Sequence, residues 1–177
     1  TSIYRRFFDP SYYRIIIFDQ RGAGRSQPLG ELRANTLDHL VSDMDALRVH
    51  LKIPRWHLFG GSWGSTLSLA YAMRYPEHCI GMILRSIFLM EQIEIDWYIH
   101  GMQTIFPEAW DAFASYAGGN DILRIYLQRL TSQDDAEAIE AALHWNAYET
   151  ACASFFPQKE TLTSDDQKYY ALAMAKI

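Results

Sequence analysis

The sequence predicts an α/β protein in which part of a parallel sheet, with flanking helices, is followed by an all-helical segment. Three short apolar runs, each the length of a buried strand, alternate with amphipathic helical patterns in the first half of the chain. After about residue 90, helical patterns rich in aromatic residues follow one another. The chain therefore divides into a predicted sheet portion, residues 1–90, and a predicted helical portion, residues 91–177.

The sheet portion contains three predicted central strands. They are rich in β-branched and aromatic residues, and they cover residues 13–18, 56–59 and 80–84. An apolar stripe from Leu37 to Leu51 predicts a helix between the first two strands, with Asn35 as its N-cap and an end near Lys52. A second apolar helical pattern covers residues 66–75. Strands that alternate with helices predict a parallel sheet with helices on both faces.

The helical portion shows helix starts and stops but no strand pattern. Pro107 is placed to begin one helix, since proline suits the first helical turn. Residues 117–121 form a predicted turn, and another helix is predicted to start within residues 132–136. Pro157 and the segment 161–166 are predicted to separate the last helix. An all-helical segment in this place predicts a cap over a site at the sheet edge.

A Gly-x-Ser-x-Gly motif lies between the second predicted strand and the helix after it, at residues 60–64. This context is typical of the nucleophile elbow of α/β-hydrolases, in which a serine occupies the tip of a sharp, strained turn. The positions of Gly60, Gly61 and Gly64 are predicted to require a small residue, so that strand and helix can approach each other. Ser62 is the predicted nucleophile, and the backbone N–H of Trp63 is the predicted oxyanion donor. The alternative is a glycine-rich turn with an idle serine.

Composition excludes several other classes of function. The formal charge of −5 and the scattered arginines argue against a nucleic-acid partner. We expect no membrane span, because no apolar run approaches about 20 residues, and no signal peptide, because the N-terminus lacks that pattern. Cys79 and Cys152 lie far apart, so we expect reduced thiols in a cytoplasmic protein. The histidines show no metal-ligand spacing, and the loop 19–26 lacks the pattern of a nucleotide-binding loop.

Motifs along nearly the whole chain carry a family resemblance. The most specific are Asp-Gln-Arg-Gly-Ala-Gly-Arg-Ser at 19–26 and Trp-Asn-Ala-Tyr-Glu at 145–149, and the less specific elbow motif at 60–67 accompanies them. With these, the chain resembles the prolyl aminopeptidase family of serine peptidases, within the α/β-hydrolase superfamily. Two departures are Ala23, where the family often has cysteine, and Tyr148, where it has a second tryptophan.

The resemblance implies a serine exopeptidase that releases N-terminal proline from peptides through an acyl-enzyme, without a metal or other cofactor. It assigns Glu149 to the free amine of the peptide substrate, and Phe88 and Tyr98 to an aromatic pocket for the pyrrolidine ring. A solvated helix position is the alternative for Glu149, and plain core packing is the alternative for Phe88 and Tyr98. The resemblance does not indicate an oligomeric state.

The rest of a catalytic triad is not evident in this sequence. The family order is serine, acid, then histidine, but His78, His100 and His144 lie outside the strand–loop context that the family uses. We therefore expect the acid and the histidine beyond Ile177 and the upstream oxyanion segment before Thr1. On this interpretation the sequence is an internal piece of a longer enzyme, inactive and prone to self-association when alone. A serine esterase or amidase of the same fold, or a non-catalytic fragment or binding module, remains an alternative.

Overall fold

A two-stranded parallel sheet forms the centre of the first half of the chain. The computed structural model describes residues 2–153 and 165–176. Strand β1 (Trp56–Ser62) pairs with β2 (Cys79–Ile87), and helix α2 (Trp63–Arg74) connects them. Helix α1 (Leu37–His50) packs on α2. The order helix, strand, helix, strand and the parallel pairing confirm the predicted α/β pattern for this segment.

The N-terminus of α1 lies close to, but not at, its predicted cap. Thr36, not Asn35, occupies the N-cap position before Leu37. The Asn35 amide instead donates hydrogen bonds to the carbonyl oxygens of Arg21 at 3.2 Å and Glu31 at 3.1 Å. The Asn35 prediction was therefore wrong by one residue, because this side chain ties two parts of the preceding loop together.

The predicted strand at residues 13–18 is not formed in the part of the chain that the structure describes. The segment is irregular, its three isoleucines are half-buried, and Phe18 is exposed. The described sheet contains only β1 and β2, so this segment has no ladder partner within it. A strand depends on the backbone hydrogen bonds of a neighbour. The prediction of a third strand was therefore wrong for the described structure, because an apolar run reports burial but not pairing.

Strand β2 carries a row of exposed apolar side chains. Ile80, Met82, Ile83 and Ile87 are all exposed, with Ile83 and Ile87 at 55% and 57% of their surface. An uncovered apolar strand at a sheet edge is a surface on which chains associate. Self-association of this 177-residue segment alone therefore stays a prediction, now with a definite surface.

In the described residues, five α-helices follow the sheet, as the aromatic-rich patterns predict. They are α3 (Gln92–Ile99), α4 (Pro107–Ala117), α5 (Ile122–Leu130), α6 (Asp135–Ala153) and α7 (Asp165–Lys176). Pro107 lies in the first turn of α4, and Gly118 ends that helix with a φ of 70°, as expected for a C-cap glycine. Helix α6 is the central element, because it contacts α4, α5 and α7. Pro157 and residues 161–164 lie outside the described residues, but Asp165 and Asp166 belong to α7, so the predicted separator extended two residues too far.

The buried apolar side chains of the described residues form two separate clusters. The first lies between the sheet and its helices and contains Leu40, Val41, Met44, Leu58, Leu67 and Tyr71. The second lies among α3 to α7 and is built around Phe113, Tyr126 and Tyr148. The rings of Phe113 and Tyr148 stack with centroids 4.2 Å apart. The division into two domains near residue 90 stays a prediction, and it falls between these two clusters.

Candidate active site

Ser62 occupies the tip of the turn that joins β1 to α2. Its φ of 53° and ψ of −124° lie outside the regions that residues with a side chain normally adopt. Such a conformation is strained by about 1–3 kcal/mol and persists only where its surroundings hold it. The Ser62 side chain is exposed. The turn therefore presents a hydroxyl group to solvent at the end of a strand, as the motif predicts.

Trp63 is the first residue of α2 and is held by a distant loop. The first four N–H groups of an α-helix have no acceptor within the helix, and the helix dipole places partial positive charge there. The Trp63 N–H is the first of these groups. The Trp63 indole Nε1 donates a hydrogen bond to Gln20 Oε1 at 3.1 Å. This contact fixes the start of the helix, next to the Ser62 hydroxyl.

The loop that carries Gln20 is closed by its own polar side chains. The Asp19 carboxylate accepts hydrogen bonds from the backbone N–H and Nε of Arg25, and this lowers the pKa of Asp19. Arg21 donates two hydrogen bonds to the Asp43 carboxylate on α1, with Nε at 2.7 Å from Oδ2. These contacts join the loop 19–26 to α1. The polar residues of the loop thus hydrogen bond within the protein and hold Gln20 beside the elbow.

The glycines of the motif do not contribute equally to the turn. A Cβ added to Gly60 would overlap the Gly64 carbonyl oxygen and lie 2.6 Å from Ser68 Oγ. A Cβ on Gly61 would first meet the flexible side chain of Arg85, and one on Gly64 would meet nothing within 4 Å. Gly60 is therefore the glycine that allows strand and helix to approach. The expectation that Gly64 must be small was wrong, because its Cα faces open space.

We predict that Gly60→Ala destabilises the full-length protein and that Gly64→Ala does not. Gly60→Ala forces a methyl group against backbone and should lower the free energy of unfolding by about 3 kcal/mol. Gly64→Ala should leave it unchanged or raise it by up to about 1 kcal/mol, since alanine favours helix over glycine. Urea denaturation of both variants provides the measurement. Equal losses would mean that Gly60 is not the close-contact position.

Phe88 lies directly after β2, beside the elbow. Its side chain is half-buried. Its backbone N–H donates to Ser65 Oγ at 3.0 Å, and its carbonyl accepts from Thr66 Oγ1 at 2.6 Å. Both partners belong to the first turns of α2. Ser62, the Trp63 N–H and Phe88 are therefore brought together at one end of the sheet.

Tyr98 and Glu149 form a second group, in the helical portion. Tyr98 lies on α3 and Glu149 on α6, and the Tyr148 hydroxyl donates to the Tyr98 carbonyl at 2.6 Å. Burial, and then the nearby Glu149 carboxylate, raise the pKa of the Tyr98 hydroxyl. That hydroxyl is buried and has no hydrogen-bond partner among the residues that the structure describes. An unpaired buried donor at this position is available to a ligand.

The Glu149 carboxylate is in contact with solvent, but the protein atoms around it solvate it poorly. A substantial part of the residue is exposed, yet the surrounding protein atoms raise the pKa of the carboxyl group by desolvation. No cation of the described chain forms an ion pair with it within 4.0 Å. Such a carboxylate is suited to a cationic ligand, because the ligand would supply the missing counter-charge.

The histidines that follow Ser62 have other contacts. His78 Nδ1 lies 3.0 Å from Asp45 Oδ1, the His144 ring stacks on Tyr116, and His100 is exposed. His78 precedes the start of β2, which pairs with the start of β1. Six residues of strand separate this end from Ser62, about 20 Å. Within the described ranges, none of the three hydrogen bonds to the Ser62 hydroxyl.

Sequence reasoning missed two buried serines of α2, of which Ser65 holds the elbow in place. Ser65 is fully buried and Ser68 is 5% exposed, although both lie in an otherwise apolar helical pattern. The signal available in the sequence was this pair of serines on the buried side of α2. Their partners cannot be identified from the sequence, because the contacts of Ser65 depend on how β2 ends. Gln20 likewise lies in a loop motif that does not reveal its hydrogen bond with Trp63.

Neither a metal site nor a membrane helix is found in residues 2–153 and 165–176. No group of three histidine, cysteine, aspartate or glutamate side chains there could hold a metal ion. Cys79 and Cys152 are both free thiols. No described helix is long and apolar enough to cross a bilayer.

Comparison with known proteins agrees with this architecture. A family model described as alpha/beta hydrolase fold matches residues 6–173. A proline iminopeptidase of Xylella fastidiosa is 44% identical over 98% of this chain and 56% of its own length. A probable proline iminopeptidase of Leptolyngbya boryana is 47% identical, again over 56% of its length. A proline iminopeptidase of Arabidopsis thaliana is 44% identical over 98% of this chain and 47% of its own length.

The chain spans about half the length of the curated relatives it matches. The family match, by contrast, covers nearly all of the chain. It agrees with the strand, strained serine turn and helix at residues 56–74. The chain therefore belongs to the α/β hydrolase fold family.

Proposed function

We propose that the full-length protein is a cytoplasmic serine exopeptidase that releases N-terminal proline from peptides. The observation that carries this proposal is the Ser62 turn, whose strained conformation presents a hydroxyl group beside the first N–H of α2. Two proline iminopeptidases and a probable one, each similar over 98% of this chain, support the choice of substrate.

The proposed reaction begins with attack by the Ser62 hydroxyl on the carbonyl carbon of the prolyl residue. A histidine base outside the described residues accepts the hydroxyl proton and later gives it to the leaving amine. The tetrahedral oxyanion accepts a hydrogen bond from the Trp63 N–H, and one such donor contributes about 3–4 kcal/mol to the transition state. The peptide amine departs, and water then hydrolyses the acyl-enzyme to free proline.

The proposed specificity rests on Glu149 for charge and on two aromatic side chains for shape. The ammonium group of a terminal proline would pair with the Glu149 carboxylate, whose raised pKa reflects desolvation without a described counter-charge. Phe88 and Tyr98 would pack against the flat pyrrolidine ring. An internal peptide bond offers no ammonium group, so this arrangement accounts for removal of one terminal residue only.

The deciding experiment compares L-proline 4-nitroanilide with its N-acetylated form as substrates of the full-length protein. We expect release of 4-nitroaniline from the free amine only, because acetylation removes the charge that Glu149 would bind. Equal rates on both substrates would remove Glu149 from recognition and favour a general amidase. Hydrolysis of 4-nitrophenyl acetate without hydrolysis of the prolyl amide would favour an esterase.

The same assay on the 177-residue chain tests whether it is sufficient for catalysis. We expect no activity, since His78, His100 and His144 form no hydrogen bond to the Ser62 hydroxyl in the described structure. The rate of 4-nitroaniline release should be lower by a large factor than that of the full-length protein, because a serine hydroxyl without a base is a weak nucleophile. Turnover by this chain comparable to the full-length protein would contradict the proposal that a base outside the described residues is needed.

A further inference from the structure

The backbone of Phe88 lies just beyond the point where the sheet ladder ends. The last pair in the ladder joins Ser62 and Ile87, because β1 turns into α2 at Ser62. The N–H and carbonyl of the next residue, Phe88, therefore lie past the end of the neighbouring strand. Backbone groups in a partly buried position need partners from another source.

Side chains of α2 supply those partners. The Ser65 side chain, 0% exposed, donates from Oγ to the Ser62 carbonyl at 2.6 Å and accepts the Phe88 N–H at 3.0 Å. Thr66 Oγ1 donates to the Phe88 carbonyl at 2.6 Å. Both backbone groups of Phe88 are thus held by two adjacent residues of the helix that begins at the nucleophile. We call Ser65 and Thr66 the Phe88 clamp.

A bulge in β2 precedes the clamp. Gly61 pairs with Arg85, but Ser62 pairs with Ile87, so Ser86 is an extra residue in the strand. Ser86 has a φ of 47°, in the left-handed region. An extra residue shifts the following side chains to the other face of a strand, and bulges often do this beside active sites. The bulge therefore sets the direction of the chain at Phe88, and the clamp holds it there.

We propose that Ser65 and Thr66 are positioning residues that fix Phe88 relative to Ser62 and thereby set the preference for proline as the first residue. This inference rests on the proposed function, in which Phe88 packs against the pyrrolidine ring. A small displacement of one pocket wall loses contact with a rigid ring and leaves room for other side chains. Discrimination between proline and alanine should therefore depend on the clamp.

The first test is Thr66→Val in the full-length protein, with L-proline and L-alanine 4-nitroanilides as substrates. Valine keeps the shape of threonine but removes the hydrogen bond to the Phe88 carbonyl. We expect the proline-to-alanine ratio of kcat/KM to fall about tenfold, an effect of the size expected for one lost hydrogen bond. The fall should come from a higher KM for proline with kcat unchanged. Thr66→Ser, which keeps the hydroxyl, should restore the ratio.

Ser65→Ala and Ser68→Ala form a matched pair on the same helix. Ser65→Ala removes the bonds to both Ser62 and Phe88, so we expect a lower kcat as well as the lower ratio. Ser68 is also buried, but its hydroxyl donates to the Gly64 carbonyl at 2.7 Å, within α2. Ser68→Ala should leave the ratio unchanged even if it lowers the melting temperature.

An unchanged ratio in Thr66→Val, or an equal fall in Ser68→Ala, would overturn the inference while leaving the aminopeptidase proposal intact. If Thr66→Val does not fold, Ser65→Ala against Ser68→Ala decides the question by the same ratio. Wild-type protein that hydrolyses neither amide would overturn the proposed function and this inference together. A fall confined to Thr66→Val and Ser65→Ala would establish the clamp as a determinant of specificity.

Discussion

Replacing Ser62 with alanine in the full-length protein is expected to reduce kcat on L-proline 4-nitroanilide by about 10⁴- to 10⁶-fold. The reason is that the proposed acyl-enzyme forms on the Ser62 hydroxyl. The residual rate reflects substrate binding and oxyanion stabilisation, which the variant keeps. Labelling with a serine-reactive fluorophosphonate provides an independent measurement, since the wild-type protein should be labelled at Ser62 and the variant should not.

Ser62→Gly is the matched control for the strained turn. Both variants lack the hydroxyl and should be equally inactive, but only glycine adopts a φ of 53° and a ψ of −124° without strain. We therefore expect Ser62→Gly to exceed Ser62→Ala in free energy of unfolding by about 1–3 kcal/mol, measured by urea denaturation. Activity within tenfold of wild type in either variant would exclude Ser62 as the nucleophile. Equal stability would mean that the turn relaxes around alanine.

The elements that the sequence predicts correctly are those with a local cause. Strand β1, the turn at Ser62 and helix α2 follow one another within residues 56–74, and their composition identifies each. The start of α4 follows from Pro107 alone. The strand predicted at 13–18 depends on a neighbour elsewhere in the chain, so its apolar composition was not sufficient. Asn35 failed as a cap for a similar reason, because its amide hydrogen bonds to loop carbonyls of Arg21 and Glu31.

The residues of the candidate site likewise fall into those that a local motif predicts and those that depend on distant contacts. The Ser62 hydroxyl and the Trp63 N–H are neighbours in sequence, so one motif predicts both. The Phe88 clamp joins residues 22 and 23 positions apart, and the bulge at Ser86 changes the register just before it. Nothing in the local pattern predicts that register. The nearness of Tyr98 to Glu149 depends on how α3 packs against α6, which is again a tertiary property.

Glu149→Gln is expected to reduce kcat/KM for L-proline 4-nitroanilide by about 100-fold in the full-length protein, since it removes the charge proposed to pair with the ammonium group. Hydrolysis of 4-nitrophenyl acetate, which has no ammonium group, should change by less than about twofold if Glu149 acts only on the amine. Glu137→Gln is the matched control, because Glu137 is an exposed glutamate on the same helix. It should leave both rates unchanged. An equal fall for the two substrates in Glu149→Gln would show that Glu149 supports the fold instead.

Because the pKa of Glu149 is raised, both amine recognition and protein stability should depend on pH through this group. The carboxyl must be ionised to bind an ammonium group, so the ratio of amide to ester hydrolysis should fall as the pH drops through that raised pKa. Taking the ratio removes the titration of a histidine base, which affects both substrates.

The folded protein also keeps the Glu149 proton at a pH where the unfolded chain loses it. Stability from this group is therefore lost as the pH rises through the interval between the two pKa values. Glu149→Gln should accordingly raise the melting temperature at pH 7 while weakening amine recognition, and a lower melting temperature would place the carboxylate in a stabilising contact.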